Sequence, residues 1–414
     1  VAIAVALGAV WRLGLLAVHR WDQPLLLNDS LYYSAQARQL AEGIWFREIF
    51  VDQPGAEHGP LTSTLLAAVS WVDDPVPWQR LVTVLCGIAT IPVLAALAHA
   101  CAPPPSRRRA AVVAAAIAAA YPNLWLNDGL VMSESVSVLV VSATLLVGLR
   151  CLERPAWGAL VRLGALAGLG ALARSELALV AAGLAAVVLV ATRDLRRTAV
   201  MAAAGAVVVA PWVAFNLARF EEPVTLTTND GTTLLGSYCD DAFSGRDLGG
   251  WSISCVVADP AYAQDEEPSV RSARQRSLAR TYARQHLDDL PRVVAARIGR
   301  TLDLYGLDSL IAQDVGEERP RWASWAGIVS WWALAPAAAA GVVRMRRRDR
   351  ALLLVPCVAV LVTTVVFYGA HRIRSSMEPV VVVGAAIALV AWSSRLRRGG
   401  GADQPGSVQI DAPE

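Results

Sequence analysis

Asp29 stands just beyond the first apolar run, in Trp21-Asp22-Gln23-Pro24-Leu25-Leu26-Leu27-Asn28-Asp29-Ser30, and a helix-like stretch from Leu31 to Ala41 follows it, ending at Gly43. A carboxylate in that position has two available roles. It can cap the helix, for which Asp is favoured, or it can take a proton from an attacking hydroxyl, a contribution of roughly 10²- to 10⁴-fold in rate. Other polar residues share its setting at the ends of apolar runs. Glu57 and His58 lie in the same interval, Glu134 heads the run Val136 to Val147, Arg174 and Glu176 interrupt the stretch from Leu163 to Val190, and Arg372 and Arg374 precede the last run. An acid at the bilayer centre costs about 2.5 to 3.5 kcal/mol, so Glu134 is expected to face a cavity or a partner, with Arg174 one candidate. Planar guanidinium groups suit phosphate oxygens, which is one reading of Arg372 and Arg374; the other is that they snorkel to the surface as anchors. The Glu57-His58 pair and Asp128 read as solvated loop residues unless something nearby recruits them, Asp128 then supplementing Asp29.

What positions these side chains follows from composition. Of the 414 residues 55% are apolar, the mean hydropathy is +0.44, and several runs approach the roughly 20 residues that cross a bilayer. This describes a multispan membrane protein. About ten spans are expected, near Val1 to Val18, Trp78 to Ala100, Ala110 to Leu124, Leu130 to Leu149, Trp157 to Ala173, Leu177 to Ala191, Ala199 to Phe215, Trp322 to Val343, Ala351 to Gly369 and Val380 to Ser393. All the basic charge is arginine, and its clusters (Arg107 to Arg109, Arg150 with Arg154, Arg193 with Arg196 and Arg197, Arg344 to Arg350, Arg395 to Arg398) alternate with loops of other character. The positive-inside rule makes those clusters cytoplasmic. Every polar residue singled out above then falls on the opposite, outer side, and both termini face the cytoplasm.

The same pattern limits the chemistry. The cytoplasmic loops are short, with no Gly-rich phosphate loop after a strand, and the net charge of +2 says nothing about nucleic acid, since its arginines cluster at segment ends; membrane lipids are expected partners and nucleic acid is not. The expected divisions are a membrane core, 1–215, whose first outer loop is 19–77; an outer loop domain, 216–321, containing both helix and strand; the last membrane helices, 322–398; and a polar, disordered tail, 399–414. The loop domain is about 100 residues long, enough for a small folded unit. Its Thr225, Thr227 and Thr228 suit an extended segment, with a turn at Asn229-Asp230-Gly231. Arg271, Arg274, Arg280 and Arg284 share a helical spacing and read as a solvated face. Asp240 and Asp241 read as part of an acidic Gly-rich loop, and Cys239 and Cys255 could close that loop by a disulfide in an oxidising compartment.

Several of these residues occur in an order that resembles the GT-C glycosyltransferases related to protein O-mannosyltransferases and aminoarabinose transferase (glycosyltransferase family 39-like), in particular their actinobacterial members. Asn28-Asp29-Ser30-Leu31-Tyr32-Tyr33 with Ala37, Leu40, Ala41 and Gly43 is similar to the first-loop pattern, and His58-Gly59-Pro60-Leu61 to a His-Pro-Pro-Leu motif. Tyr121-Pro122 with Ser133-Glu134, Ala173-Arg174-Ser175-Glu176, Pro211-Trp212 with Asn216, and Arg372-Ile373-Arg374 with Glu378-Pro379 follow in the family's sequence. Ser30, Gly59, Phe215 and Ser375 depart from that pattern. The resemblance implies an all-α GT-C membrane fold with juxtamembrane helices in the first outer loop. It implies a transferase that moves a sugar from a polyprenyl phosphate to a hydroxyl of a cell-envelope glycan, lipid or protein, on the outer face of a bacterial cytoplasmic membrane and with inversion. Asp29 and Glu134 would then be catalytic, with Arg174, Glu176, Arg372, Arg374, His58 and Tyr33 binding the donor's phosphate or sugar. A divalent cation (Mg, Mn or Ca) is an open expectation, since Glu57 and His58 alone do not complete a metal site. A competing reading is a lipid or glycolipid transporter or flippase, but transporters usually carry internal repeats and midplane broken helices, and no such repeat is visible.

Overall fold

Long runs of Ala, Val and Leu satisfy their backbone in a bilayer only by coiling, because no water is there to meet a bare N–H or C=O. In the computed structural model, which describes residues 1–26, 29–259 and 266–399, the described residues are almost wholly helical, and the isolated bridge between Arg47 and Pro54 is the only β-pairing among them. Seven helices are long and apolar enough to cross a membrane: Ala2–Arg20, Val76–Cys101, Glu134–Glu153, Leu195–Leu217, Arg321–Val343, Arg347–Val366 and His371–Arg395. Two shorter apolar helices, Trp157–Ala173 and Leu177–Thr192, and the Ala-rich Arg107–Ala120 account for the other expected segments. Arg174-Ser175-Glu176 is the connection between the two short ones, as the length of that apolar stretch required.

Small residues let the central helices approach. Ala110, Ala114 and Ala118 of Arg107–Ala120 pack with Leu94 and Leu97 of Val76–Cys101, Val141 and Leu145 of Glu134–Glu153, and Val382, Val383 and Ala386 of the last helix in one buried cluster. The span expected from Leu130 starts at Glu134, and the turn before it carries a correction. Asp128 is buried: its Oδ2 accepts from Arg12 Nε at 2.6 Å and its Oδ1 from Ser135 Oγ at 2.7 Å. It is a packing charge on the first span, not a solvated acid beside Asp29.

Between the first two long apolar helices lie two shorter ones, Asp29–Ala41 and Pro60–Ala67, whose Tyr33, Ala37 and Leu66 bury together with Val131. Gly59 precedes the second helix with its backbone pressed on the end of Trp157–Ala173; a Cβ there would lie 2.3 Å from Leu172 O. Only glycine permits that approach.

Segment 216–321 differs from the mixed helix and strand expectation. Its described residues contain no strand and form Asn229–Ser237, Asp240–Phe243, Ile253–Val257, Pro268–Gln285, Leu290–Thr301 and Leu307–Gly316. Asn229-Asp230-Gly231, read as a turn, opens the first of these helices. Gly231 serves close packing there, since a Cβ would lie 2.4 Å from Ser272 O of the neighbouring helix, and Asp230 pairs with Arg276 at 2.9 Å. The basic face of Pro268–Gln285 is correspondingly less bare than expected, because Arg274 is held by Asp259 at 2.6 Å and Glu266 at 2.8 Å. Cys239 and Cys255 are joined by a disulfide. Asp240 and Asp241 accept from Tyr282 Oη at 2.7 Å and Ser252 Oγ at 2.8 Å, so they stitch that loop to its surroundings. Asn28 and the tail 400–414 lie outside the described residues.

Candidate functional site

Element ends converge on one place. Asp29 is the first residue of its helix, His58 lies just before Pro60–Ala67, Glu134 is the first residue of its span, Arg174 and Glu176 form a helix connection, and Arg372 lies in the turn His371–Met377. Helix ends leave backbone groups without intrahelical partners and carry partial charge, so polar side chains gather there more readily than along the spans. Arg372 is the hub. Its Nη2 donates to Asp29 Oδ2 at 2.7 Å, its Nε to Glu134 Oε1 at 3.1 Å, and its Nη1 to Glu317 Oε1 at 2.7 Å. Arg174 Nη1 donates to the same Glu134 oxygen at 2.9 Å, while its Nε bonds Glu176. Arg319 bonds Glu317 in turn and donates to Asn127 Oδ1 at 3.0 Å.

His58 Nε2 lies 3.5 Å from Asp29 Oδ1, and its ring stacks on Tyr33 with centroids 4.7 Å apart. The cluster is graded in access: the Asp29 side chain is 29% exposed and Arg372 14%, whereas Glu134 is fully buried. Asp29 is therefore the acid an incoming molecule meets. Burial pushes its carboxyl up, but the Arg372 guanidinium and His58 outweigh that and hold it well below the usual carboxylate range, so it is ionised at neutral pH. Burial alone would lower the His58 imidazole, yet Asp29 beside it raises it. Farther along the loop the balance reverses. Burial, and then the neighbouring Glu57, push Glu48 up to about 7, and burial raises Glu57 as well.

The structure thus brings Asp29, His58, Tyr33, Glu134, Arg174, Glu176 and Arg372 together. Arg374 is different. Its side chain is 1% exposed and donates to Asp303 Oδ2, Glu378 Oε1 and Thr301 O at 2.8 Å each, with its guanidinium over the Trp331 ring. The expectation that Arg374 grips phosphate gives way to a buried structural role. Sequence reasoning missed Glu317 and Arg319. They lie in a run of charges, Glu317-Glu318-Arg319, that reads as a solvated face, and the only hint was that the run sits immediately before a span. Beside Arg372 a small cavity of about 30 Å³ is lined by Asn123, Asn127, Arg319, Ser375 and Glu378 among others.

Among the described residues no group of three or more His, Cys, Asp or Glu is placed to hold a metal, and the three carboxylates nearest the centre are already drawn onto one guanidinium.

Residues 57–216 match the family model described as dolichyl-phosphate-mannose-protein mannosyltransferase. Among solved structures the chain is similar to the archaeal oligosaccharyltransferase AglB from Archaeoglobus fulgidus in complex with an inhibitory peptide and a dolichol-phosphate. The TM-score is 0.58 and the identity 15%, over 99% of this chain and 52% of that one. It is also similar to ArnT from Cupriavidus metallidurans bound to undecaprenyl phosphate, with TM-score 0.58 and 17% identity over 95% of this chain and 62% of that one. A further structure of the Archaeoglobus fulgidus oligosaccharyltransferase, in complex with Zn and sulfate, aligns with TM-score 0.56 and 16% identity over 96% of this chain and 49% of that one. No curated protein matches. The chain spans 52% and 62% of the first two solved structures, and at these identities the likeness is one of fold alone.

Proposed function

We propose that this chain is a glycosyltransferase that moves a sugar from a polyprenyl phosphate to a hydroxyl of a cell-envelope glycan, lipid or protein. The observation that carries this reading is the pairing of the accessible, ionised Asp29 with Arg372 at 2.7 Å, at a junction where Glu134 and Arg174 also meet. Asp29 takes the proton of the acceptor hydroxyl as its oxygen bonds the anomeric carbon. The bond from that carbon to the phosphate oxygen breaks, its electron pair stays on the phosphate, and direct displacement inverts the anomeric centre. The phosphate gains charge as the bond breaks, so arginines aimed at it stabilise the transition state more than the bound donor. Arg372 and Arg174 take that role. Glu134 Oε2 has no hydrogen-bond partner among the described residues and is suited to a sugar hydroxyl, while His58, fixed by Tyr33, orients Asp29.

The reading places the site on the outer face of a bacterial cytoplasmic membrane, with 1–215 and 322–398 forming the membrane core, 216–321 an outer unit above it and 399–414 a cytoplasmic tail. Arginine clusters on the opposite ends of the spans support that orientation. A cysteine introduced near Gly231 is then labelled from outside in intact cells. The test of the chemistry is sugar transfer in membrane vesicles from a radiolabelled polyprenyl-phosphate sugar. Asp29→Asn is expected to abolish transfer while donor binding persists; undiminished transfer would overturn the assignment.

A further inference from the structure

Glu317-Glu318-Arg319 leads from segment 216–321 into the helix Arg321–Val343, and its three side chains leave in different directions. Glu317 accepts from Arg372 Nη1 at 2.7 Å, and Arg319 reaches Asn127 at 3.0 Å. Glu318 turns to a separate partner at the start of Val76–Cys101. Its Oε2 accepts from Arg80 Nη2 at 2.8 Å, and its Oε1 accepts from the Leu26 backbone N–H at 3.2 Å. Both side chains of this pair are fully buried. Arg80 extends the connection, donating through Nη1 to Gly129 O at 2.7 Å and through Nη2 to Gln23 O at 3.1 Å.

Glu318 also has a φ of 66°, in the left-handed region that glycine adopts freely and other residues rarely do. Such a conformation persists only where the surroundings over-determine it, and here they are the Arg80 guanidinium and the Leu26 amide. What these bonds fasten is the chain beside each member of the site. Leu26 lies three residues before Asp29, Gly129 five before Glu134, and Glu317, next to Glu318, holds Arg372. Apolar residues of similar volume would fill the same space with equal or greater stability. They could not accept from Leu26 or donate to Gln23 and Gly129.

We propose that Arg80 and Glu318 are positioning residues for sugar transfer: their buried pair fixes the spacing between Asp29 and Arg372 by tying together the segments that carry them. This rests on the reading of Asp29 as the base and Arg372 as a phosphate-binding group. Sealed from solvent, the pair acts through the chain alone. Direct displacement needs the acceptor oxygen, the anomeric carbon and the leaving phosphate oxygen in line, and a misplacement of about 1 Å can cost about 10²-fold in rate. The Asp29–Arg372 bond cannot hold that spacing during transfer, because donor and acceptor then come between the two side chains. The pair behind them can.

The experiment measures transfer from a radiolabelled polyprenyl-phosphate sugar in membrane vesicles, per folded molecule, with melting temperature and donor KM alongside. Wild type is compared with Glu318→Gln and with the double variant Arg80→Met, Glu318→Leu. The double variant removes both charges together and strands neither, so it is expected to melt close to wild type. Its kcat should fall about 10- to 100-fold, by more than donor KM rises. Glu318→Gln keeps the side chain's length and an oxygen for the Leu26 N–H, and should lose only about threefold in kcat. A purely structural pair would change melting and leave kcat per folded molecule alone. Wild-type kcat in the folded double variant therefore overturns the proposal, as does a loss confined to donor KM; should the double variant not fold, wild-type kcat in Glu318→Gln overturns it. Asp29→Asn in the same vesicles separates the two readings. If it abolishes transfer, the transferase reading outlives a failure of the pair's role, and if transfer is undiminished both fall.

Discussion

Arg372 and Arg374 are separated by one residue in the same short turn, yet the fold uses them in opposite ways. Arg374 is sealed beneath Trp331 and fastened to Asp303 and Glu378, the latter also accepting from Tyr121 Oη at 2.8 Å. Arg372 keeps an exposed edge, and two of its three acids have a second arginine: Glu134 has Arg174 and Glu317 has Arg319. A buried ion pair that is fully enclosed holds structure and has nothing left to offer a ligand. A cluster with shared partners can release one cation without stranding a buried charge. The lesson is that partner redundancy and access, more than residue type, separate a working arginine from a scaffolding one.

The contrast can be broken most directly at Asp29, the most exposed acid of the working cluster. Asp29→Asn should lower transfer by about 10²- to 10⁴-fold while lowering the melting temperature only slightly, by the loss of one partly exposed ion pair; a loss of folded protein as large as the loss of transfer would move Asp29 into the scaffolding class. Arg374→Ala should strand buried carboxylates and cost about 3 to 5 kcal/mol of stability, read as a large drop in melting temperature, whereas an active, equally stable variant would erase the distinction between the two arginines. Arg372→Ala should instead weaken binding of the polyprenyl-phosphate donor about 10- to 100-fold, the loss of one or two charge-assisted hydrogen bonds, with a smaller shift in melting. Donor binding that does not change would make Arg372 an anchor.

The smallest expected effect is on acid stability. The Asp29 and Asp314 carboxyls are both driven down in the folded protein, Asp29 by Arg372 and His58 against burial, and Asp314 by His371 and Arg319 against burial. Their stabilising contribution is complete above the unfolded carboxyl pKa of about 4 and is lost as pH falls toward the folded values. The melting temperature should therefore decline from about pH 5 to about pH 3, and more shallowly in Asp314→Asn. A parallel decline in that variant would detach the scaffold's charges from acid sensitivity.

Local reading of the chain went far where the physics is local. Apolar length located the segments from Val1 to Ser393, and the interruption at Arg174 to Glu176 showed a helix pair. Asp29, Glu134 and Arg372 stood out because each is costly at the end of an apolar run. What escaped was pairing across distance. Asp128 resembled any loop acid until the fold placed Arg12 against it from 116 residues away, and Glu317 sat in a charged run whose partner is 55 residues downstream. Arg374 has the same chemistry and neighbours as Arg372 in the sequence; only the depth of Trp331 and Asp303 tells them apart. In segment 216–321, Asn229-Asp230-Gly231 carried the marks of a turn because a glycine chosen for tight helix contact looks the same in sequence as one chosen for a bend.

Gly59 ties two inheritances together. The loop bearing His58 is seated against the Leu172 carbonyl with no room for even a methyl group, and the chain two residues beyond Leu172 supplies Arg174. Any residue with a side chain at 59 must tilt that seat and shift the imidazole relative to the arginine at once. Swapping this loop between homologous chains is therefore a two-part transplant: graft and socket have to travel as a matched set, or the imidazole arrives out of register.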